Sequence, residues 1–216
     1  MWFRKLQNTI KTANRNFVCA AEAAFVGNVS QTTLYRVAEE GLIPARLREV
    51  ICGEDRFRRF AGVLAHLNLE LEDVLSTRCR HRVLAAIYVR AMAHPYQDEI
   101  LDLKCIPSGI DWQIPVLDFV AVNPSRYLSQ ALERTAKIES AATKVVLRNT
   151  DGEDAFFFRK TNIPVVAIVN LLNEAQDVTH MRAIFPELTA EHVWVAHLYR
   201  QMFGSTSPRG MKSSAV

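Results

Sequence analysis

A short segment near the N-terminus concentrates hydroxyl, amide and guanidinium side chains at helical spacing. It follows Ser30, a residue type that favours the N-terminal cap of a helix. Leu34 and Val37 lie three residues apart, so one face of this helix is expected to pack into a core. The side chains left for the opposite face are Gln31, Thr32, Thr33, Tyr35 and Arg36. A helix with such a face suits the major groove of a DNA duplex.

Five arginines follow this segment, on both sides of a turn predicted at Gly53. They are Arg46, Arg48, Arg56, Arg58 and Arg59. A loop or hairpin that carried them would hold guanidinium groups against the phosphate backbone, where contacts add affinity without reading sequence. An ordinary solvated basic face is the alternative interpretation, since charged side chains are mostly exposed.

Two short helices joined by a turn are the elements that must position these residues. Alanines in the segment from Ala20 to Ala24 allow another helix to cross closely, and Gly27 is expected to supply a left-handed turn. The turn between the two helices is one residue longer than is usual in a helix-turn-helix, and Asn28 is the additional residue. Gly41 is expected to end the second helix. The pattern resembles the winged helix-turn-helix of MerR-type regulators, in which arginines follow the recognition helix.

The composition is that of a soluble globular protein with an uneven distribution of charge. Hydrophobic residues make up 49% and charged residues 23% of the chain, so it can form a core. The net charge is only +3, but residues 1–60 hold 10 basic and 6 acidic side chains, which predicts an anionic partner there. The cysteines are Cys19, Cys52, Cys79 and Cys105. The cysteines are scattered and the sequence shows no secretory signal, so we expect free thiols in a cytoplasmic protein. Charged residues interrupt the apolar runs, so we expect no membrane span.

The C-terminal third predicts a hairpin followed by three helices. Two β-prone runs, Val145 to Arg148 and Ala155 to Phe158, flank a turn signal at Asp151-Gly152. Pro164 suits the first turn of a helix, and Thr189 can cap the last helix.

This region resembles a small bacterial antitoxin domain that pairs a short hairpin with a three-helix bundle. The resemblance lies in the run from Ile163 to Leu172, which contains Ile-Pro-Val and a Leu-Leu pair, and in Phe185-Pro186-Glu187-Leu188-Thr189. The Gly-Thr-Arg of the family is replaced here by Lys160-Thr161-Asn162, and its glycine after the Leu-Leu helix by Ala175. With its N-terminal part included, the chain is similar to a long VapB-type antitoxin of a VapBC-like toxin–antitoxin pair.

The resemblance implies two partners. One is a PIN-like ribonuclease toxin, and the other is double-stranded operator DNA, bound by a homodimer or by a toxin–antitoxin hetero-oligomer. The carboxylates of such a nuclease would attract Arg209 and Lys212. Both residues lie in a tail rich in serine, glycine and lysine that is expected to be disordered.

No residue pattern predicts catalysis, a cofactor or a metal site. His192 and His197 are five residues apart, which places them on different faces of a helix. Asp98, Glu99 and Asp102 form an acidic cluster without a histidine placed to complete a metal site, and we interpret the cluster as a solvated helix face. The sequence also lacks a glycine-rich phosphate loop. We therefore expect a binding protein rather than an enzyme.

The expected fold is mainly α with short β-hairpins, with an N-terminal winged helix-turn-helix and a C-terminal three-helix, helix-turn-helix-like bundle. The expected divisions are a DNA-binding domain over 1–94, a connector with a helix that could mediate dimerisation over 95–143, the antitoxin domain over 144–203 and the tail over 204–216. Two alternatives stay open. One is a MerR-like regulator that senses a ligand and has no toxin partner, and the other is a module that makes protein contacts only.

Overall fold

The structure, a computed structural model, describes residues 16–117, 120–150 and 153–203. The described part is mainly helical with short antiparallel strand pairs, which confirms the coarse expectation for the fold class. It contains two compact units, one over residues 16–137 and one over residues 138–203. Among the described helices, none combines the length and the hydropathy needed to cross a membrane.

The first unit begins with two helices and a small antiparallel sheet. The helical elements are α1 (Ala20–Gly27), α2 (Gln31–Glu39) and a short 3-10 helix (Ala45–Leu47). The strands are β1 (Val18–Cys19), β2 (Arg48–Ile51) and β3 (Glu54–Phe57), in the order β1-β3-β2. Cys52 and Gly53 join β2 to β3 with φ of 54° and 76°. Two positive φ values in a two-residue loop are typical of a tight hairpin turn, so the turn expected at Gly53 is present.

The turn between α1 and α2 differs from the sequence expectation for Gly27. Gly27 remains helical, and Asn28 adopts the left-handed conformation instead, with φ 58°. The amides of Asn28 and Val29 donate to the carbonyls of Phe25 and Ala24, each at 3.0 Å. Asparagine tolerates a left-handed backbone better than most residues. The extra residue of this turn therefore closes the end of α1.

Gly27 serves a close helix crossing with α3 (Phe60–Leu71). A Cβ atom added at Gly27 would lie 2.1 Å from the carbonyl oxygen of Gly62, and one added at Gly62 would lie 2.0 Å from that of Ala23. Atoms cannot approach this closely, so a side chain at either glycine would force the two helices apart.

The first unit continues with helices and one further strand pair. The helices are α4 (Thr77–Met92), α5 (Gln97–Leu101) and α6 (Ser125–Ala142). The strands β4 (Ile114–Leu117) and β5 (Val120–Val122) pair antiparallel. The division between the two units falls between residues 137 and 138, inside α6.

The second unit is a hairpin followed by three helices. The strands are β6 (Val145–Thr150) and β7 (Glu153–Phe158), and the helices are α7 (Val165–Asn173), α8 (Val178–Ile184) and α9 (Ala190–Phe203). The strands pair from Val145 opposite Phe158 to Thr150 opposite Glu153, which confirms the expected hairpin. Its turn at Asp151-Gly152 lies outside the described residues.

His192 belongs to the core of the second unit. Its ring stacks on Phe158 with 4.6 Å between centroids, and its Nδ1 accepts a hydrogen bond from the amide of Thr189 at 3.3 Å. The Thr189 hydroxyl in turn accepts from the amide of His192 at 3.2 Å, which makes Thr189 the expected cap of α9. Burial lowers the pKa of His192, because desolvation disfavours the imidazolium. The neutral ring therefore has a packing role.

Candidate nucleic-acid interface

α2 presents a capped N-terminal turn to solvent. The Ser30 hydroxyl accepts a hydrogen bond from the amide of Thr33 at 3.0 Å, as its residue type predicts. Leu34 and Val37 are fully buried. Gln31 and Thr32 are exposed, and their side chains make no hydrogen bond to any other described residue. Their amide and hydroxyl groups are therefore available to an external partner.

Thr33 and Tyr35 are half-buried and have partners within the fold. The hydroxyls of Thr33 and Ser30 lie 2.9 Å apart. The Tyr35 ring meets Phe57 edge to face, with 5.8 Å between centroids. Burial raises the pKa of Tyr35, and the Asp55 carboxylate raises it further, so the phenol stays protonated. These two side chains support α2 beside its exposed turn.

Arg36 is held by a carboxylate from α3's C-terminal end. Its two terminal nitrogens donate to the two oxygens of Glu72 at 2.9 and 3.1 Å, a bidentate arrangement. The hydrogen bond from Arg36 lowers the pKa of Glu72. Glu72 also lies 3.7 Å from a terminal nitrogen of Arg80, so one carboxylate serves two guanidinium groups. The side chain of Arg36 remains 42% exposed, so a ligand can still reach it.

The β2–β3 hairpin carries a bidentate arginine–carboxylate pair and an exposed apolar side chain. Arg48 donates to both carboxylate oxygens of Asp55, on the opposite strand, at 2.7 and 2.9 Å. Glu49 is exposed, and Val50 is 65% exposed. The outward face of the hairpin is therefore mixed in charge and polarity rather than uniformly basic.

Arg56 and Arg59 are turned into the fold. The Arg56 side chain is buried and lies 3.3 Å from a carboxylate oxygen of Glu54. Arg59 donates through Nε to Glu22 at 2.8 Å, and the Glu22 side chain is almost completely buried. Both guanidinium groups are thus largely withdrawn from solvent. The partner of Arg56 is two residues away, whereas that of Arg59 is 37 residues away and has no local sign in the sequence.

Arg58 forms ion pairs with two carboxylates of the acidic cluster, the exposed Asp98 and the buried Asp102. Arg58 donates through Nε to Asp102 at 3.0 Å and through a terminal nitrogen to the Asp98 carboxylate at 2.8 Å. The sequence interpretation of the cluster as a solvated face is wrong for Asp102, which is only 6% exposed. Residues four apart share a face, and here that face meets Arg58. Burial raises the pKa of Asp102, and the Arg58 guanidinium opposes this shift.

Arg46 is the arginine of the predicted set that stays fully accessible. It lies in the 3-10 helix, is exposed and forms no ion pair with a described residue. The ten predicted residues thus divide into three groups. Those without an internal side-chain partner in the described structure are Gln31, Thr32 and Arg46. Those that are partly accessible but engaged are Thr33, Tyr35, Arg36 and Arg48. Those that are sequestered are Arg56, Arg58 and Arg59.

The carboxylates that engage these arginines were not identified from the sequence. Glu72 is 36 residues from Arg36, and Asp102 is 44 residues from Arg58. No periodicity or motif reports a pair at such separations. For Arg58, the available signal was the four-residue spacing of Asp98 and Asp102, which places both on one face.

The second unit has two non-glycine residues in the left-handed region and several exposed apolar side chains. Lys160 has φ 66° and Ala175 has φ 57°. Val178, Ile184 and Trp194 are exposed by 41%, 48% and 37%. The tail residues Arg209 and Lys212, predicted to bind a toxin, lie outside the described residues.

No cluster of three or more His, Cys, Asp or Glu side chains in the described part of the chain is arranged to hold a metal ion. The exposed polar groups of α2 and the exposed Arg46 form the candidate interface. Comparisons of the chain with protein families, with curated proteins and with solved structures found no match.

Proposed function

We propose that the first unit is a winged helix-turn-helix domain that binds double-stranded DNA, with α2 in the major groove and the β2–β3 hairpin as the wing. The observation that carries this proposal is the capped, exposed turn of α2, where Gln31 and Thr32 have no competing side-chain partner among the described residues. Recognition helices present their N-terminal residues to base edges. Amide and hydroxyl groups can read the donor and acceptor pattern of the major groove.

We assign the phosphate contacts to Arg46, with Arg36 and Arg48 as further candidates, because the other three arginines are sequestered. Replacing Arg46 with alanine should weaken binding to all duplexes alike. The slope of log K against log salt should become shallower by about 0.9, as expected for one lost phosphate contact.

The slope is measured by anisotropy titrations at several salt concentrations. Arg126→Ala is the matched control, because Arg126 is an exposed arginine of the same unit outside α2 and the hairpin. It should keep the parental slope. If Arg46→Ala also keeps that slope, the assignment of Arg46 is wrong.

We further infer that the chain is the antitoxin of a VapBC-like pair, which neutralises a PIN-like ribonuclease and represses its own operon. Support comes from Lys160 and Ala175, which occupy the two positions where the antitoxin pattern has glycine. Both adopt positive φ, the region that glycine favours. The backbone thus retains the conformation that glycine would serve, although the side chains differ.

Replacing Lys160 or Ala175 with glycine should stabilise the protein. A left-handed conformation costs a residue with a side chain about 1–2 kcal/mol, which glycine would relieve. The greater conformational freedom of glycine in the unfolded chain reduces this gain by about 0.5–1 kcal/mol. The net gain in free energy of unfolding should be about 0.5–1 kcal/mol at each position. Urea denaturation measures it.

Ala183→Gly is the control, since Ala183 is exposed and right-handed within α8. That variant should lose stability by about 0.5–1 kcal/mol. Loss of stability in all three variants would contradict the conformational argument.

The toxin proposal is tested by co-expressing the tagged full chain with the product of the adjacent reading frame. We expect a nuclease to co-purify. Deletion of residues 204–216, which removes Arg209 and Lys212, should weaken this capture and leave DNA binding unchanged. Absence of a nuclease partner would contradict the antitoxin assignment, and equal capture by the truncated chain would exclude a role for the tail.

A further inference from the structure

A groove lies between α4 and β4 in the first unit. Its volume is about 390 Å³, within the size range of small-molecule sites. One side carries the basic residues His81, Arg82 and Arg90 of α4. The remaining surface is largely apolar and includes Val83, Ala86 and Ile114. The groove therefore combines a cationic edge with an apolar wall.

The basic residues of this groove form no ion pair with a described carboxylate. None of the residues that line the groove is acidic. Arg82 is exposed and forms no ion pair with a described residue. Asp111 does not line the groove, and its carboxylate accepts a hydrogen bond from the amide of Gln113 at 2.9 Å.

Arg90 is positioned for binding by its own hydrogen bond. One terminal nitrogen donates to the backbone carbonyl of Asp111, which fixes the guanidinium. A guanidinium carries five N–H groups, so others remain free for a ligand. Arg82 and Arg90 thus place two guanidinium groups along the same groove, one exposed and one hydrogen-bonded to the backbone.

We propose that this groove binds a small organic carboxylate with an apolar body. The carboxylate accepts hydrogen bonds from Arg82 and Arg90, since paired N–H donors match its two oxygens. The apolar body lies along Val83, Ala86 and Ile114, where each buried CH₂ group strengthens binding by about fourfold. This site is independent of the proposed DNA interface.

Calorimetric titration of the full chain with hexanoate tests the proposal, with acetate and hexylamine as matched probes. Hexanoate should bind saturably and at least about tenfold more tightly than acetate, because it buries more CH₂ groups. Hexylamine should not bind. Arg82→Gln should weaken hexanoate binding by about tenfold, as expected for the loss of a charge-assisted hydrogen bond. Arg78→Gln should leave it unchanged, because Arg78 is exposed on α4 and does not line the groove.

Arg90→Gln is a second test and should also weaken hexanoate binding, with circular dichroism to verify that the variant folds. If Arg90→Gln unfolds, Arg82→Gln alone tests the proposal. Equal affinity for hexanoate and acetate would overturn the proposal, as would equal effects of the Arg82 and Arg78 variants. Binding of an acidic decapeptide without binding of hexanoate would also overturn it, in favour of a peptide site.

Discussion

Replacing Arg58 with alanine is expected to lower the free energy of unfolding by about 3–5 kcal/mol, the cost of leaving a buried charge without its partner. Arg58 and Asp102 are each only 6% exposed, and two nitrogens of Arg58 lie 3.0 and 2.8 Å from Asp102. Without the guanidinium, the buried Asp102 carboxylate keeps Lys104, whose Nζ lies 3.7 Å away and whose side chain is half exposed, as its described ion-pair partner. The carboxylate must then stay poorly compensated, take up a proton or open the structure around it. Urea denaturation followed by circular dichroism measures the loss.

The destabilisation by Arg58→Ala should depend on pH. Burial already raises the pKa of Asp102, and removal of Arg58 removes a group that opposes the shift. The folded variant therefore binds a proton more readily than the unfolded chain, so the variant becomes relatively more stable as the pH falls through this raised pKa. The loss measured at about pH 8 should exceed the loss at about pH 5.

Arg46→Ala is the control, because Arg46 is exposed and unpaired in the described structure. Its stability should stay within about 0.5 kcal/mol of the parent. A similar small effect of Arg58→Ala would show that the ion-pair network does not stabilise the fold. In that case Arg58 would again be a candidate for a phosphate contact.

Gly62→Ala should destabilise the protein by about 3 kcal/mol or more, at the upper end of overpacking effects. The added Cβ would lie 2.0 Å from the carbonyl oxygen of Ala23, and backbone atoms cannot yield as a flexible side chain can. α1 would have to move away from α3. Thermal and urea denaturation should both show the loss.

Gly109→Ala is the matched control, since an added Cβ there meets no atom within 4 Å and Gly109 has no positive φ. Its effect should stay within about 0.5 kcal/mol. Equal stability of the Gly62 and Gly109 variants would contradict the close crossing of α1 and α3.

Local signals in the sequence were sufficient to predict α2 and the β2–β3 and β6–β7 hairpins. Ser30 caps α2, Leu34 and Val37 are buried, and Gly41 ends the helix region with φ 72°. Caps and turns depend on neighbouring residues, so the sequence contains the information that specifies them.

The burial and ion pairing of the arginines beside the hairpin could not be predicted, because their partners are distant in sequence. Arg58 and Arg59 are adjacent to the hairpin and were expected to face a phosphate backbone. They instead bind Asp102 and Glu22, which belong to other elements. A basic residue count therefore overstated the charge available to a ligand. The need for glycine at position 27 also has a distant cause. It comes from the close approach of Gly62 rather than from the turn that follows Gly27.

We propose that α2 reads DNA through its exposed N-terminal turn. The most direct test is an anisotropy titration of the full chain with a duplex selected from a random pool, compared with a shuffled duplex at the same salt concentration. The parent should bind the selected duplex at least about tenfold more tightly, and Gln31→Ala with Thr32→Ala should remove about tenfold or more of that preference, since a specific base contact is worth about 1–3 kcal/mol. Thermal unfolding should be unchanged, because both side chains are exposed. Retention of the full preference by the double variant, or equal binding of both duplexes by the parent, would contradict the claim.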